Sequence, residues 1–189
     1  MKPDLHPWAA DLSLLYAEVW TRLTRGVHDR HAPARHSTLA TVTPDGRPQA
    51  RTVVLRAADK LAATLDIHTN IQSAKVQELR ATPFAALHVW DASAHLQLRL
   101  EARVTILTGQ DVAAIWAGVP AVSRMSYGSS PAPGQPIAQA LAYSKEPDPS
   151  CFAVLRLTVS TTDALHLGPN HRRARFDRTD GWAGEWLAP

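Results

Sequence analysis

Two short segments carry the residue types that hold a phosphate. The first is Arg51-Thr52-Val53-Val54-Leu55-Arg56, a β-branched run with a guanidinium at each end. The second is His68-Thr69-Asn70-Ile71-Gln72-Ser73-Ala74-Lys75, where a strand pattern gives way to a helix pattern. Thr69 and Asn70 are N-cap residue types, so the helix is expected to start beside them. A helix N-terminus offers free N–H groups and the positive end of the helix dipole. Ser73 and Lys75 add a hydroxyl and an ammonium at the same place. Each segment also has a plainer reading, as a solvated strand rim and as an ordinary capped surface helix.

Other chemistry finds little support. No GxSxG elbow, Walker loop or HExxH helix occurs. The nine His are scattered and form no i, i+4 ligand pair. Cys151 is the single cysteine, which excludes an internal disulfide framework and a multi-cysteine metal site. It opens a strand pattern and reads as a small apolar residue. No metal site is expected. With no strong side-chain nucleophile, an enzyme built on this chain would leave the reaction to a cofactor.

The basic balance supports an anionic ligand only in part. Net charge is +3 and the isoelectric point about 9.4, with 16 Arg against four Lys. Arg holds planar anions through a rigid fork of donors, but an Arg-rich, Ala- and Pro-rich chain also follows from codon bias. At 189 residues, with 45% hydrophobic and 20% charged residues, the chain reads as one globular domain over 1–189. Disordered and collagen-like classes are thereby excluded. No apolar run reaches the roughly 20 residues of a membrane span. Met1-Lys2-Pro3-Asp4 lacks the features of a secretory signal, so a cytoplasmic protein is expected.

The positioning elements follow from periodicity. Residues 8–26 read as an amphipathic helix through Leu12, Leu15, Val19, Trp20 and Leu23, with Gly26 as its stop and a connector over 27–35. Strand patterns follow at 36–43, 49–56, 61–69, 84–90, 96–107 and 152–159, with two or three more expected between 162 and 187. Thr43-Pro44-Asp45-Gly46 supplies a hairpin turn. Helices are expected at 71–81, 110–118 and 137–143, and a long loop at 119–136. Strands joined by hairpins rather than βαβ units give a mainly β class, an antiparallel barrel with peripheral helices.

In their order along the chain, the two phosphate segments resemble the pyridoxamine 5'-phosphate oxidase-like family, whose fold is the FMN-binding split β-barrel. That family has an R-x-V-x-L-[KR] strand, then T-N-x-x-S-[RKA]-K, then a Gln in a later strand, where this chain has Gln97 in Leu96-Gln97-Leu98-Arg99. His171-Arg172-Arg173-Ala174-Arg175-Phe176 and the terminal Trp186-Leu187-Ala188-Pro189 are similar to the family's closing segment. The likeness covers most of residues 36–189.

The resemblance implies specific roles. Arg51 and Lys75 would hold the FMN phosphate, with hydroxyl bonds from Thr69 and Ser73. Thr52, Val53, Val54 and Leu55 would lie along the flavin, partly through backbone groups, and His68 would stand beside the cofactor. Gln97 would reach the flavin from the second subunit of a homodimer, and Arg175 matches the flavin-contacting Arg. Arg56, Arg124 and Arg173 would bind a small anionic substrate. Arg51 and Arg56 differ by an odd number, so a regular strand points them to opposite faces, in keeping with separate cofactor and substrate roles.

The chain also departs from the family pattern. His171 and Arg173 invert the Arg-x-His pair of the true oxidases, Leu165 stands where a Trp is expected, and Ala74 replaces a second basic residue beside Lys75. The expectation is therefore an FMN-dependent oxidoreductase of a divergent branch. The alternative is a non-catalytic FMN carrier, sensor or stress protein. A third reading, nucleic-acid binding through the Arg-rich stretch 171–178, lacks a recognised module, and the basic residues point to a small phosphorylated cofactor instead.

Overall fold

The structure is a computed structural model that describes residues 5–189. The segment Met1–Asp4, on which the leader reading rests, lies outside the described residues. A helix α1, Leu12–His28, begins at Asp11, whose carboxylate accepts from Leu14 N at 2.8 Å. It buries Leu15, Val19, Trp20 and Leu23, four of the five residues expected from the three- and four-residue spacing, and leaves Leu12 half-buried.

Eight strands then build one sheet around which the rest is placed. They are β1 (His36–Val42), β2 (Pro48–Asp59), β3 (Thr64–Asn70), β4 (Phe84–Asp91), β5 (Leu96–Thr108), β8 (Phe152–His166), β9 (Arg172–Asp177) and β10 (Glu185–Leu187). The short pair β6 (Ser129–Ser130) and β7 (Ser144–Lys145) forms a separate ribbon. In the main sheet the order is β10-β9-β8-β3-β2-β1-β4-β5, all neighbours antiparallel, and β5 pairs back onto β8. That last pairing closes β8, β3, β2, β1, β4 and β5 into a six-stranded antiparallel barrel, the split-barrel architecture expected from the sequence.

Alternation sets which side chains face the inside. On β5, Leu96, Leu98, Leu100, Ala102 and Val104 are buried, while Arg99, Glu101 and Arg103 are exposed and Gln97 is half-buried. On β4, Ala85, Leu87 and Val89 point inward. β8 is long enough to serve two partners on one edge: its first half pairs with β3 and its second half with β9. Helix α2, Ala74–Ala81, packs against β1 and β5 and sends Val76 and Leu79 into the core. The helices α3 (Ala113–Gly118) and α4 (Ala121–Arg124) follow β5. Their segment brings Val112, Val119 and Tyr127 against Phe152 and Val154 in a second, smaller apolar cluster.

Four local expectations are corrected. Gly26 does not end α1, which runs on to His28; a Cβ at Gly26 would stand 2.8 Å from the Ala34 backbone, so the glycine permits a close approach. Thr69 and Asn70 do not cap α2; Ser73 is its N-cap residue, and the Asn70 side chain instead accepts from Gln72 N in a tight turn. Residues 137–143 form turns and bends rather than a helix, and they are exposed. A short segment without a packed face has nothing to offset the cost of helix nucleation. Cys151 lies in a 3-10 turn just before β8, where its thiol donates to Asp148 Oδ2 at 3.4 Å.

Candidate functional site

The residues expected to hold a phosphate meet where β2, β3 and α2 converge. Arg51 is directly opposite Leu39, a fully buried residue of β1, so it lies on the inward side of β2. Thr69 stands at the end of β3 on its inward side, next to the turn that enters α2. Ser73 then stands at the N-cap position without a side-chain capping bond, and Lys75 is the second residue of the helix. Lys75 Nζ donates to Thr69 Oγ1 at 3.1 Å, and the Thr69 and Ser73 hydroxyls are 3.2 Å apart. Burial pushes the Lys75 ammonium down from the usual lysine range; Arg51 adds to that shift and Glu78 opposes it.

Glu78 belongs to this cradle, although the sequence reading did not single it out. It is buried, and its Oε2 accepts from Arg51 Nη2 at 2.8 Å and from the Thr41 hydroxyl. Arg51 also donates to Thr41. A signal for Glu78 existed in its spacing, three residues after Lys75 on one helix, which puts both on one face. Arg51, Lys75 and Glu78 together leave one net positive charge among three hydroxyls, those of Thr41, Thr69 and Ser73. That donor set suits a phosphate ester.

Thr41 also links the cradle to an apolar groove of about 540 Å³. Its walls include Ala40, Val42, Phe84, Ala86 and Ala102. This volume is in the range of sites for small molecules and cofactors, about 300–1,000 Å³.

Strand alternation splits the remaining residues into other places. Val53 and Leu55 turn into the barrel core, so only their backbone and the half-buried Val54 are available to a ligand; Thr52 is exposed. Arg56 falls at a β-bulge between Leu55 and Ala57, which breaks the simple alternation assumed from the sequence. Its charge acts on His68 and on Tyr127. His68 faces the opposite side of β3 from Thr69 and meets the Phe152 ring edge-on at 5.0 Å. Arg124 is spent locally: its guanidinium donates to Val119 O and Ala117 O, both at 2.8 Å, and lies over the Trp116 ring.

Gln97, Arg173 and Arg175 form a third group. Gln97 lies on β5 opposite Trp90 and Leu165, three strands from Arg51 in the barrel order. Arg173 Nε and Nη2 bind Asp163 Oδ2 at 3.1 and 2.8 Å, and Arg175 pairs with Asp177 at 2.8 Å. Within one chain the cradle and this group are separate. His171 is exposed.

A family profile for pyridoxamine 5'-phosphate oxidase matches residues 29–166. The chain belongs to that family. Among curated relatives, a pyridoxine/pyridoxamine 5'-phosphate oxidase of Gloeothece citriformis is 41% identical over 88 residues, or 47% of this chain and 40% of that protein. One from Pseudomonas putida is 34% identical over 128 residues, or 67% of this chain and 52% of that protein. The chain thus spans about half the length of the curated relatives it matches.

Among solved structures, a pyridoxamine 5'-phosphate oxidase-related, FMN binding protein from Nostoc punctiforme superposes with a TM-score of 0.74 at 27% identity, covering 92% of this chain and 96% of that one. PhzG from Burkholderia lata, solved with tetrahydrophenazine-1-carboxylic acid, gives 0.74 at 22% identity over 98% of both chains, a likeness of fold. Among the described residues no helix is long and apolar enough to cross a membrane.

Proposed function

We propose that the protein binds FMN through Arg51, Thr69, Ser73 and Lys75 and uses it in an oxidation–reduction reaction on a small anionic substrate. The observation that carries this reading is the cradle itself. A half-buried ammonium whose hydrogen bond goes to a hydroxyl stands beside a guanidinium and a second hydroxyl. A buried cation without a full counter-charge favours an anionic ligand. Family membership and the FMN-binding relative from Nostoc support flavin as that ligand.

When bound, FMN supplies hydride and electron transfer. Lys75 and Arg51 hold its phosphate, and the Thr69 and Ser73 hydroxyls complete the shell. The groove beyond Thr41 offers apolar walls to the ligand. Arg56 and Arg173 offer guanidinium groups to the substrate anion.

A homodimer completes this reading. Gln97 and Arg175 lie away from the cradle of their own chain, so their reach to a flavin calls for a second copy. Phe84 is 56% exposed and Val42 37% exposed beside the groove, an apolar face that a second copy would cover. The proposed setting is the cytoplasm, where a lone thiol stays reduced.

The test is the visible absorption spectrum of the purified protein after incubation with FMN and removal of the excess. Retained flavin, reduced anaerobically by pyridoxamine 5'-phosphate or NAD(P)H, supports the full reading. Retained flavin that neither compound reduces favours the carrier alternative. A colourless protein overturns flavin binding.

A further inference from the structure

Two guanidinium groups on different strands converge on one buried carboxylate outside the phosphate cradle. Asp163 lies in the second half of β8, directly opposite Arg99 on β5 and Arg175 on β9. Only 9% of the residue is exposed. Its Oδ2 accepts from Arg99 Nη2 at 2.7 Å, from Arg173 Nη2 at 2.8 Å and from Arg173 Nε at 3.1 Å. Burial alone would raise the Asp163 pKa, but the bonds from Arg173 and Arg99 outweigh it and hold the carboxyl below its usual range. The carboxylate therefore stays ionised near neutral pH.

This geometry fixes the direction of Arg173. A fork that uses Nε and Nη2 fixes the plane of the guanidinium and leaves Nη1 as the nitrogen that Asp163 does not engage. The three groups border a cavity of about 160 Å³ together with Arg175, Glu101 and Thr161. Arg175 does not share the Asp163 carboxylate; it takes Asp177, which also accepts from the Thr161 hydroxyl at 2.8 Å. Every arginine on this face thus has a carboxylate anchor, Asp163 for Arg99 and Arg173 together and Asp177 for Arg175. Loose arginines lose side-chain entropy on gripping an anion, and an anchored one has already lost most of it.

We propose that Asp163 is a positioning residue: it holds Arg173, braced by Arg99, in the orientation in which Arg173 meets the anionic group of the substrate. This inference rests on the flavin reading given above, because it takes Arg173 as the substrate anchor.

The experiment titrates pyridoxal 5'-phosphate into the FMN-loaded protein and follows the flavin absorbance change. Five proteins are compared: wild type, Asp163→Asn, Asp163→Glu, Arg173→Met and the Arg173→Met/Asp163→Asn double variant. Asp163→Asn is expected to weaken binding at least tenfold while FMN affinity stays within about twofold. Asp163→Glu should restore most of the loss. Arg173→Met should lose the same binding, and adding Asp163→Asn to it should cost nothing further, which a merely structural role would not produce.

Should Asp163→Asn fail to fold, Arg99→Gln is read instead: it removes the brace on Asp163 and leaves Arg173 in place, so it should weaken the probe severalfold, and binding as in wild type overturns the proposal. The proposal is overturned if Asp163→Asn binds the probe as wild type does, or if losses from the two sites add. A wild type that holds FMN but shows no response to the probe also overturns it, and leaves flavin binding intact. A wild type that holds no FMN overturns the flavin reading itself and this proposal with it.

Discussion

Arg51 on β2 and Glu78 on α2 form an ion pair in the floor of the cradle, with Nη2 2.8 Å from Oε2. The Glu78 side chain is 7% exposed and the Arg51 side chain 23%. The pair ties the strand to the helix whose first turn carries Lys75. It has a consequence for how the phosphate site responds to mutation. Removing Arg51 takes away a phosphate donor and also strands a buried carboxylate.

Arg51→Ala is therefore expected to destabilise the cofactor-free protein by about 1–3 kcal/mol, the range for an uncompensated, partly buried charge. Arg51→Ala combined with Glu78→Gln should lose clearly less, because the amide needs no counter-charge. Thermal unfolding of the two variants and wild type, all without FMN, measures this. Equal melting temperatures for the single and double variants would show that the stranded carboxylate costs nothing.

Lys75 works in the opposite sense. Its pKa in the folded protein is lowered, first by burial, then by Arg51, against the pull of Glu78. Between that lowered value and the ordinary lysine value the unfolded chain binds more protons, so stability rises as pH rises through the window. Below that lowered value the penalty of the buried ammonium is present in full. Lys75→Met should thus stabilise the cofactor-free protein, by about 1 kcal/mol, while FMN no longer raises its melting temperature. A variant that melts earlier than wild type in the absence of FMN contradicts this.

The barrel strands and the part of the cradle over residues 69–75 were legible because both rest on short-range pattern. Strict alternation on β4 and β5 fixes which side chains face inward, and Thr69, Ser73 and Lys75 are close in sequence. What was hidden depends on register. The bulge at Arg56 leaves no mark in Val53-Val54-Leu55-Arg56-Ala57, yet it decides where that guanidinium goes. Asp163 became visible only once β8 was paired with both β5 and β9. Three capping residue types lie between Thr69 and Ser73, and the choice of Ser73 follows from where α2 docks its Val76 and Leu79.

Gly26 makes the same point in a form that stability can read. In an exposed helix interior, Gly→Ala gains about 1 kcal/mol. Here a Cβ would lie 2.8 Å from both the Ala34 carbonyl carbon and the Ala34 Cβ. The Pro33–Arg35 turn is held to α1 by Arg35, whose Nη1 donates to Val27 O at 2.7 Å, so the neighbour does not yield freely. Gly26→Ala is expected to destabilise by about 1–3 kcal/mol, the range for overpacking. Urea unfolding of this single variant checks the sign: a gain in stability would mean that the turn moves aside.

His68 gives a prediction in pH. Burial, reinforced by Arg56 and opposed by Asp66, pushes its pKa down to about 4 from the usual 6.5. The folded protein therefore keeps the imidazole neutral where the unfolded chain protonates it. Stability is fully present above the unfolded value and falls as pH drops through the window between 6.5 and about 4. With 1.36 kcal/mol per unit, the fall from pH 7 to pH 5 is on the order of 2 kcal/mol. His68→Leu keeps the apolar contact with Phe152 and has no proton to take up, so its stability should stay nearly level over the same interval. Urea midpoints of both proteins at pH 7 and pH 5 make the comparison. Parallel declines would show that the imidazole already takes up its proton in the folded protein, and that Arg56 does not keep it neutral.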